Sequence, residues 1–325
     1  MSRPCRNVED IVSEVRRIIE EAKAKNPGDT GAEFFFRGEK QNYETRDNSE
    51  IGTHFPCNLY QPANKNAWKY ERKLYEEALR RNVVDFHQDR TMTERLARMQ
   101  HYQLPTRFTD LSENALQAAY FATGAGSFRK DGGEELDGWL RIVQVAGHKM
   151  KSFTSDIIVA ISHLPLVEPT RFHLDGPLAA TPEDDGGLNV LRYEIMKERP
   201  AFGFEHERPK VAMDLRRDIQ QVWAFKPMLN SPRIKKQDGI FLAVGCGDGK
   251  RPIHPTYSEE DYGNPGAPSY GIKQIGAVRI AAEAKKPLLE ELRHFGIRAE
   301  NTYPELPDVC REIEERLRGE YGEKG

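Results

Sequence analysis

At 325 residues the chain can bury a substantial core and stands near the upper limit of what one core supports, so one large domain or two unequal lobes both fit. Charged residues make up 30% of it yet nearly cancel to a net -3, so bulk electrostatics gives no sign of the strongly basic face that duplex phosphates usually require. An apolar run of membrane-spanning length, a secretory leader at Met1–Arg6 and paired cysteine spacing are all missing; Cys5, Cys57, Cys246 and Cys310 are scattered, and a reducing cytoplasm suits them.

Val8, Ile11, Val12, Val15, Ile18, Ile19 and Ala22 recur at helical spacing behind Asn7, which with Asp10 forms a variant capping box. A first amphipathic helix is therefore predicted over residues 8–25, ended by the Asn26-Pro27-Gly28-Asp29 turn. Phe34–Phe36 reads as a short buried strand with Arg37 and Gly38 at its exit. Residues 40–66, broken by Gly52, Pro56 and Pro62, read as a long loop. Trp68, Leu74, Tyr75, Ala78 and Leu79 mark a helix, and Thr91 with Glu94 caps another carrying Leu96, Ala97 and Met99. Ser112 is the expected cap of a third, through Ala115, Leu116, Ala119 and Tyr120.

Trp139–Val145 reads as a largely buried strand and Ile157–Leu164 as a helix. Pro165–Leu188, rich in Pro, Gly and Asp, is a loop or internal boundary. Helices are expected at Leu191–Met196 and Val211–Val222, strands at Ile240–Val244 and Ile272–Ala281, and amphipathic helices at Leu288–Phe295 and Val309–Leu317.

Three polar segments stand out as chemistry. In Glu33–Glu39, Arg37 places a guanidinium at the end of a buried strand, beside a glycine that permits close backbone approach. That arrangement suits a phosphate or carboxylate ligand; an internal carboxylate partner is the competing reading. Gln100–Leu111 is the densest run of functional side chains, expected to join two helices and to present Gln100, His101, Thr106, Arg107 and Asp110 to one cleft. The competing reading is an internal network in which Asp110 neutralises Arg107. Asn230–Phe241 leads from a turn into a strand with Gln237 near its start, and Asp238-Gly239 is ordinary turn chemistry. The basic cluster Arg233, Lys235 and Lys236 suits a small phosphorylated ligand or a solvated surface. Gly245–Lys250 has the wrong spacing for a nucleotide loop, and His206 lacks a second histidine at metal-ligand spacing.

Taken together, Phe36-Arg37-Gly38, the run Gln100–Arg107, Asp110–Ala122 and Arg233–Phe241 resemble the FRG family, and Gly296-Ile297 with Tyr303–Leu306 fits the same pattern. The departures are Glu39 where Gln is common, Gln103 where Gly is common and Leu111 in place of Trp. The resemblance covers most of the chain and implies a single FRG-type domain over residues 1–325. Its N-terminal helix would span about 8–25, and a strand-helix-helix extension about 270–320. The setting implied is that of bacteria and their phages, including phage defence.

A more distant resemblance, in order and residue type, is to ADP-ribosyltransferases. It implies an α+β fold with a small mixed or antiparallel sheet core and several peripheral helices. It also implies an NAD-binding site that transfers ADP-ribose or hydrolyses NAD, with no metal and no membrane. Under it, Gln237, Asp110, Glu39 and His101 are the catalytic candidates. Arg37, Gly38, Gln100, Thr106, Arg107 and Tyr120 would hold NAD, and the acceptor would be a protein or nucleic acid. The alternative is a non-catalytic sensor of a nucleotide, nucleic-acid end or partner. A carboxylate pointing into the Arg37 cleft separates the two.

Overall fold

The computed structural model describes residues 4–43, 57–61, 64, 66–124, 136–174, 187–202, 215–230 and 232–303. In chain order these form α1 (Val8–Lys25), β1 (Glu33–Glu39), α2 (Glu71–Arg81), α3 (Val83–Phe86), α4 (Met92–His101), β2 (Phe108–Ser112), α5 (Ala115–Ala122), β3 (Gly138–Val145), β4 (Met150–Ser152), α6 (Asp156–His163) and α7 (Leu188–Glu198). Then come β5 (Val222–Lys226), α8 (Pro232–Lys236), β6 (Gly239–Val244), α9 (Glu259–Gly263), β7 (Ile272–Ile280), α10 (Lys285–His294) and α11 (Ala299–Thr302). The strands make one mixed sheet in the order β4-β5-β6-β2-β1-β3-β7, antiparallel throughout except for the parallel β4–β5 pair. The class is therefore α+β, as expected. None of the described helices is long and apolar enough to cross a membrane.

One face of the sheet carries two hydrophobic clusters. Over β2, β5 and β6, Phe108, Phe225 and Phe241 pack on α4, α6 and α7. Over β1, β3 and β7, Phe36, Leu140, Ile142, Val278 and Ile280 pack on α1, α5 and α10. The other face is covered by Leu59, Tyr60, Ala67 and Tyr257, which close on Phe35, Leu111, Val143 and Leu242.

Helix α5 lies directly on the strands because two glycines admit it. A β-carbon on Gly38 would come within 1.8 Å of the Ala118 carbonyl oxygen, and one on Gly138 within 2.2 Å of the Ala122 carbonyl oxygen. No side chain fits at either place.

Asn7 caps α1 by accepting from the Asp10 amide, and Thr91 with Glu94 forms the full capping box of α4. Other expectations need correction. The segment from Gln100 to Leu111 does not join two helices: Gln100 and His101 end α4, and Phe108–Ser112 is a strand inside the sheet. Asn114, not Ser112, caps α5, because the Ser112 hydroxyl is turned to the Gln237 carbonyl. The helix expected over Val211–Val222 stops early. Residues 215–218 are helical, but Val222 opens β5, whose aromatic and β-branched side chains pair with β6. Residues 211–214, the expected helix Val309–Leu317 and most of the 40–66 loop lie outside the described residues. Cys5, Cys57 and Cys246 are buried free thiols.

Candidate functional site

Helix α4 ends in a Schellman turn. The Gln103 amide bonds the Gln100 carbonyl at 2.9 Å and the Leu104 amide the Met99 carbonyl at 3.0 Å, with Gln103 in the left-handed region at φ 63°. This ending aims Gln100 and His101 at the sheet.

The Gln100 amide nitrogen donates to Asp110 Oδ2 at 2.6 Å, while its oxygen accepts from Thr106 Oγ1 at 2.6 Å. The His101 ring meets Phe241 edge-on at 5.3 Å, and its Nδ1 lies 3.9 Å from Asp110 Oδ1. Burial, helped by Arg233 and Arg98 and opposed by Asp110, pushes the imidazole pKa down to about 4. His101 is neutral at physiological pH.

Strands β1 and β2 share a single pair, Phe36 with Ser112, and then part. Beyond it the β2 backbone needs another donor, and Arg37 supplies it: Nη1 donates to the Asp110 carbonyl at 3.0 Å. Its Nε donates to Glu39 Oε1 at 3.3 Å. A cavity of about 240 Å³ opens where the strands separate. Phe36 and Arg37, consecutive and hence of opposite parity, both line it, an arrangement that a closed ladder would not allow.

The rest of the lining comes from α4 and its turn (Gln100, His101, Gln103), from Asp110 on β2, from Phe121 on α5 and from the β6 approach (Arg233, Gln237). The Arg233 guanidinium is held by rings, 4.6 Å from the centre of Tyr303 and 5.8 Å from that of Tyr102. Gln237 is fixed from two directions. Its side-chain Nε2 donates to the Thr302 carbonyl at 3.0 Å, and its main-chain carbonyl accepts from the Ser112 hydroxyl at 2.9 Å.

Six of the ten residues singled out in the sequence line the cavity, and a seventh backs one of them. Arg37, Gly38, Gln100, His101, Asp110 and Gln237 line the cavity, and Thr106 stands behind Gln100. Gly38 has its missing β-carbon directed at α5, so the absence of a side chain is required by packing.

Three others sit elsewhere. Glu39 is buried between two arginines, with Oε2 accepting from Arg141 Nε at 3.0 Å in addition to the Arg37 contact. Tyr120 is in the core beneath α5, packed against Phe121 and Tyr303, and it is Phe121 that reaches the cavity.

Arg107 is fully buried on the opposite face of the sheet. Its Nε and Nη2 each lie 2.8 Å from a Glu71 oxygen, and its Nη1 also donates to the Tyr60 hydroxyl. Burial raises the Glu71 carboxyl, but Arg107 and Lys250, the latter 3.1 Å away, hold it below its ordinary value. The expected Arg107–Asp110 pair is thus overturned. Three residues apart along an extended segment, the two side chains point to opposite faces. Asp110 is bonded to Gln100 instead, and its side chain is 43% exposed.

The sequence flagged Arg233 as part of a basic cluster and of the Arg233–Phe241 stretch, without naming it as a site residue. It carried no signal for Asn58, which reaches the cavity through long-range folding, and Phe121 entered only within the run Asp110–Ala122 that carries the family resemblance. Among the described residues no group of three or more His, Cys, Asp or Glu side chains is arranged to hold a metal ion.

Chemically, the cavity joins two guanidinium groups, a half-exposed carboxylate, a neutral imidazole and several amides. In comparison with known families, the model of the FRG domain matches residues 32–130. No curated protein and no solved structure matches the chain significantly.

Proposed function

With residues 32–130 forming an FRG domain, we propose that the cavity between α4 and α5 binds NAD and cleaves its nicotinamide–ribose bond, transferring ADP-ribose or hydrolysing NAD. One observation carries this reading: the Asp110 carboxylate lines the same cavity as Arg37, and one of its oxygens is oriented by Gln100.

Arg37 and Arg233 hold the diphosphate, which guanidinium groups bind through paired charge-assisted hydrogen bonds. The bond from C1′ to the nicotinamide nitrogen breaks, and the neutral nicotinamide leaves with the electron pair. Positive charge then builds on the ribose, and Asp110 stabilises that oxocarbenium-like transition state. Water, or a nucleophile on a protein or nucleic acid, adds to C1′ and releases a proton. Gln237 contributes an amide dipole without charge. Glu39, spanned by Arg37 and Arg141, positions Arg37.

The experiment is incubation with NAD labelled in its adenylate half, alone and with a bacterial host extract, following free nicotinamide and the fate of the label. Nicotinamide release with label on water-derived ADP-ribose or on a macromolecule supports the proposal. A second reading, a non-catalytic nucleotide sensor, is favoured by the amides of Asn58, Gln100, Gln103 and Gln237, which outnumber the single carboxylate of the lining. Tight NAD binding without nicotinamide release would select it.

A further inference from the structure

Three residues of the cavity lining, Phe121 on α5 and Arg233 and Gln237 on the β6 approach, meet one short segment at the end of α11. The Thr302 carbonyl accepts from Gln237 Nε2 at 3.0 Å, and the Thr302 hydroxyl accepts from Gln117 Nε2 of α5 at 3.1 Å. The Tyr303 ring meets that of Phe121 edge-on at 6.4 Å between centres, and the Arg233 guanidinium lies over it at 4.6 Å. The segment is itself held in place. The Tyr303 amide donates to the Ala299 carbonyl at 2.7 Å, Thr302 is fully buried, and the Tyr303 ring packs against Tyr120 in the core. Thr302 and Tyr303 both lie beyond the FRG match at residues 32–130.

An arginine side chain has several rotatable bonds, and binding an anion through two parallel hydrogen bonds requires its guanidinium in one plane. A ring beneath the guanidinium fixes that plane by cation–π attraction and leaves the N–H edge directed outward. Tyr102, a second ring near Arg233, is farther away at 5.8 Å and exposed, so Tyr303 is the firmer support. We propose that Tyr303 is a positioning residue for anion binding: the face of its ring aims the Arg233 guanidinium at the diphosphate without itself meeting the ligand. The ring is not part of the cavity lining, so its effect on the ligand has to pass through Arg233. This rests on the nucleotide reading above, in which Arg233 takes the diphosphate, and adds the residue that orients it.

The test is calorimetric titration of NAD into the full chain carrying tyrosine, phenylalanine or pentafluorophenylalanine at position 303, with thermal unfolding of each. Fluorination withdraws electron density from the ring face and changes the ring's shape little, so it separates attraction to the guanidinium from packing. Tyr303→Phe should bind NAD within about twofold of the wild type, and the fluorinated ring should bind it about three- to thirtyfold more weakly. In an Arg233→Met background the phenylalanine and fluorinated chains should bind NAD equally, because the two positions then no longer act as a pair. Equal affinities of the two rings beside Arg233 would overturn the inference and leave the nucleotide site standing. A ring preference that persists in Arg233→Met would overturn it too, by showing that Tyr303 acts through packing. Failure of the wild type to bind NAD would overturn the nucleotide reading and this inference with it. The comparison of the two rings beside Arg233 does not depend on how Arg233→Met folds.

Discussion

Arg37 donates to the main-chain carbonyl of Asp110 at 3.0 Å, so the residue proposed to hold phosphate also fixes the backbone of the residue proposed to face the ribose. The two cannot move independently. Asp110→Asn leaves this bond intact, because only the carbonyl is used, and it keeps an acceptor oxygen in the cavity. The expected outcome is a fall in nicotinamide release of about a hundredfold or more. NAD affinity should change only a few-fold, and the unfolding midpoint should barely move, since the side chain is half-exposed. Steady-state kinetics beside thermal unfolding checks all three.

Gly38 yields a test of architecture. Its β-carbon direction runs into the backbone of α5, where Ala118 and Ala122 offer main-chain atoms at 1.8 and 2.8 Å. Backbone cannot step aside as a flexible side chain can. Gly38→Ala should therefore cost about 3 kcal/mol or more, measured by urea unfolding. A variant as stable as the wild type would mean that α5 does not lie on β1 as described.

Gln103 occupies a left-handed position, φ 63°, in the Schellman turn that ends α4. Glycine takes that conformation without a steric penalty. Gln103→Gly is expected to raise stability by roughly 0.5–1 kcal/mol. It also removes an amide from the cavity rim, so ligand affinity should be measured with the melting temperature. A lower melting temperature would contradict the assignment of the turn.

His101 makes stability depend on pH in a defined direction. Burial holds its folded pKa at about 4, below the ordinary value of 6.5, so between these limits the unfolded chain binds more protons. The stabilisation is complete above pH 6.5 and is lost as pH falls toward 4, by roughly 3 kcal/mol. His148 and His163 are lowered by burial too and add to the same slope. In His101→Phe the loss of unfolding free energy between pH 6.5 and 4 should shrink by that amount, while the part due to His148 and His163 remains. An identical pH profile in the variant would show that His101 is not held neutral by the fold.

Much of this was legible in the chain, and what was not has a physical reason. Asn7, Thr91 and Glu94 announce helix starts because capping is local chemistry, and the aromatic run Phe34–Phe36 announces β1. Arg37, His101, Arg107 and Gln237 were expected to share one site; Arg37, His101 and Gln237 line one cavity, and Arg107 is buried on the other face of the sheet.

Strand β2 was hidden because Thr109, Asp110 and Ser112 give it the composition of a loop; β6 on one edge and a single pair to β1 on the other make it a strand. The face to which Arg107 points depends on that strand's parity. With β2 unread, an Arg–Asp pair within the segment looked natural, whereas the actual partner, Glu71, comes from α2. Gly38 showed the same limit, since only α5 lying on the sheet reveals why a side chain is excluded there.

The measurement that bears most directly on the central claim is calorimetric titration of NAD into the wild type and Arg37→Lys, beside thermal unfolding of both. Lysine keeps the charge but cannot hold a phosphate through two parallel bonds. The wild type should bind NAD, and Arg37→Lys should bind it more weakly by roughly 1 to 3 kcal/mol. The midpoint should fall by only about 2–4 °C, from the lost bond to the Asp110 carbonyl. Unaltered NAD affinity with a clearly lower midpoint would make Arg37 a structural partner of Glu39 and Asp110 alone, and it would contradict the NAD site.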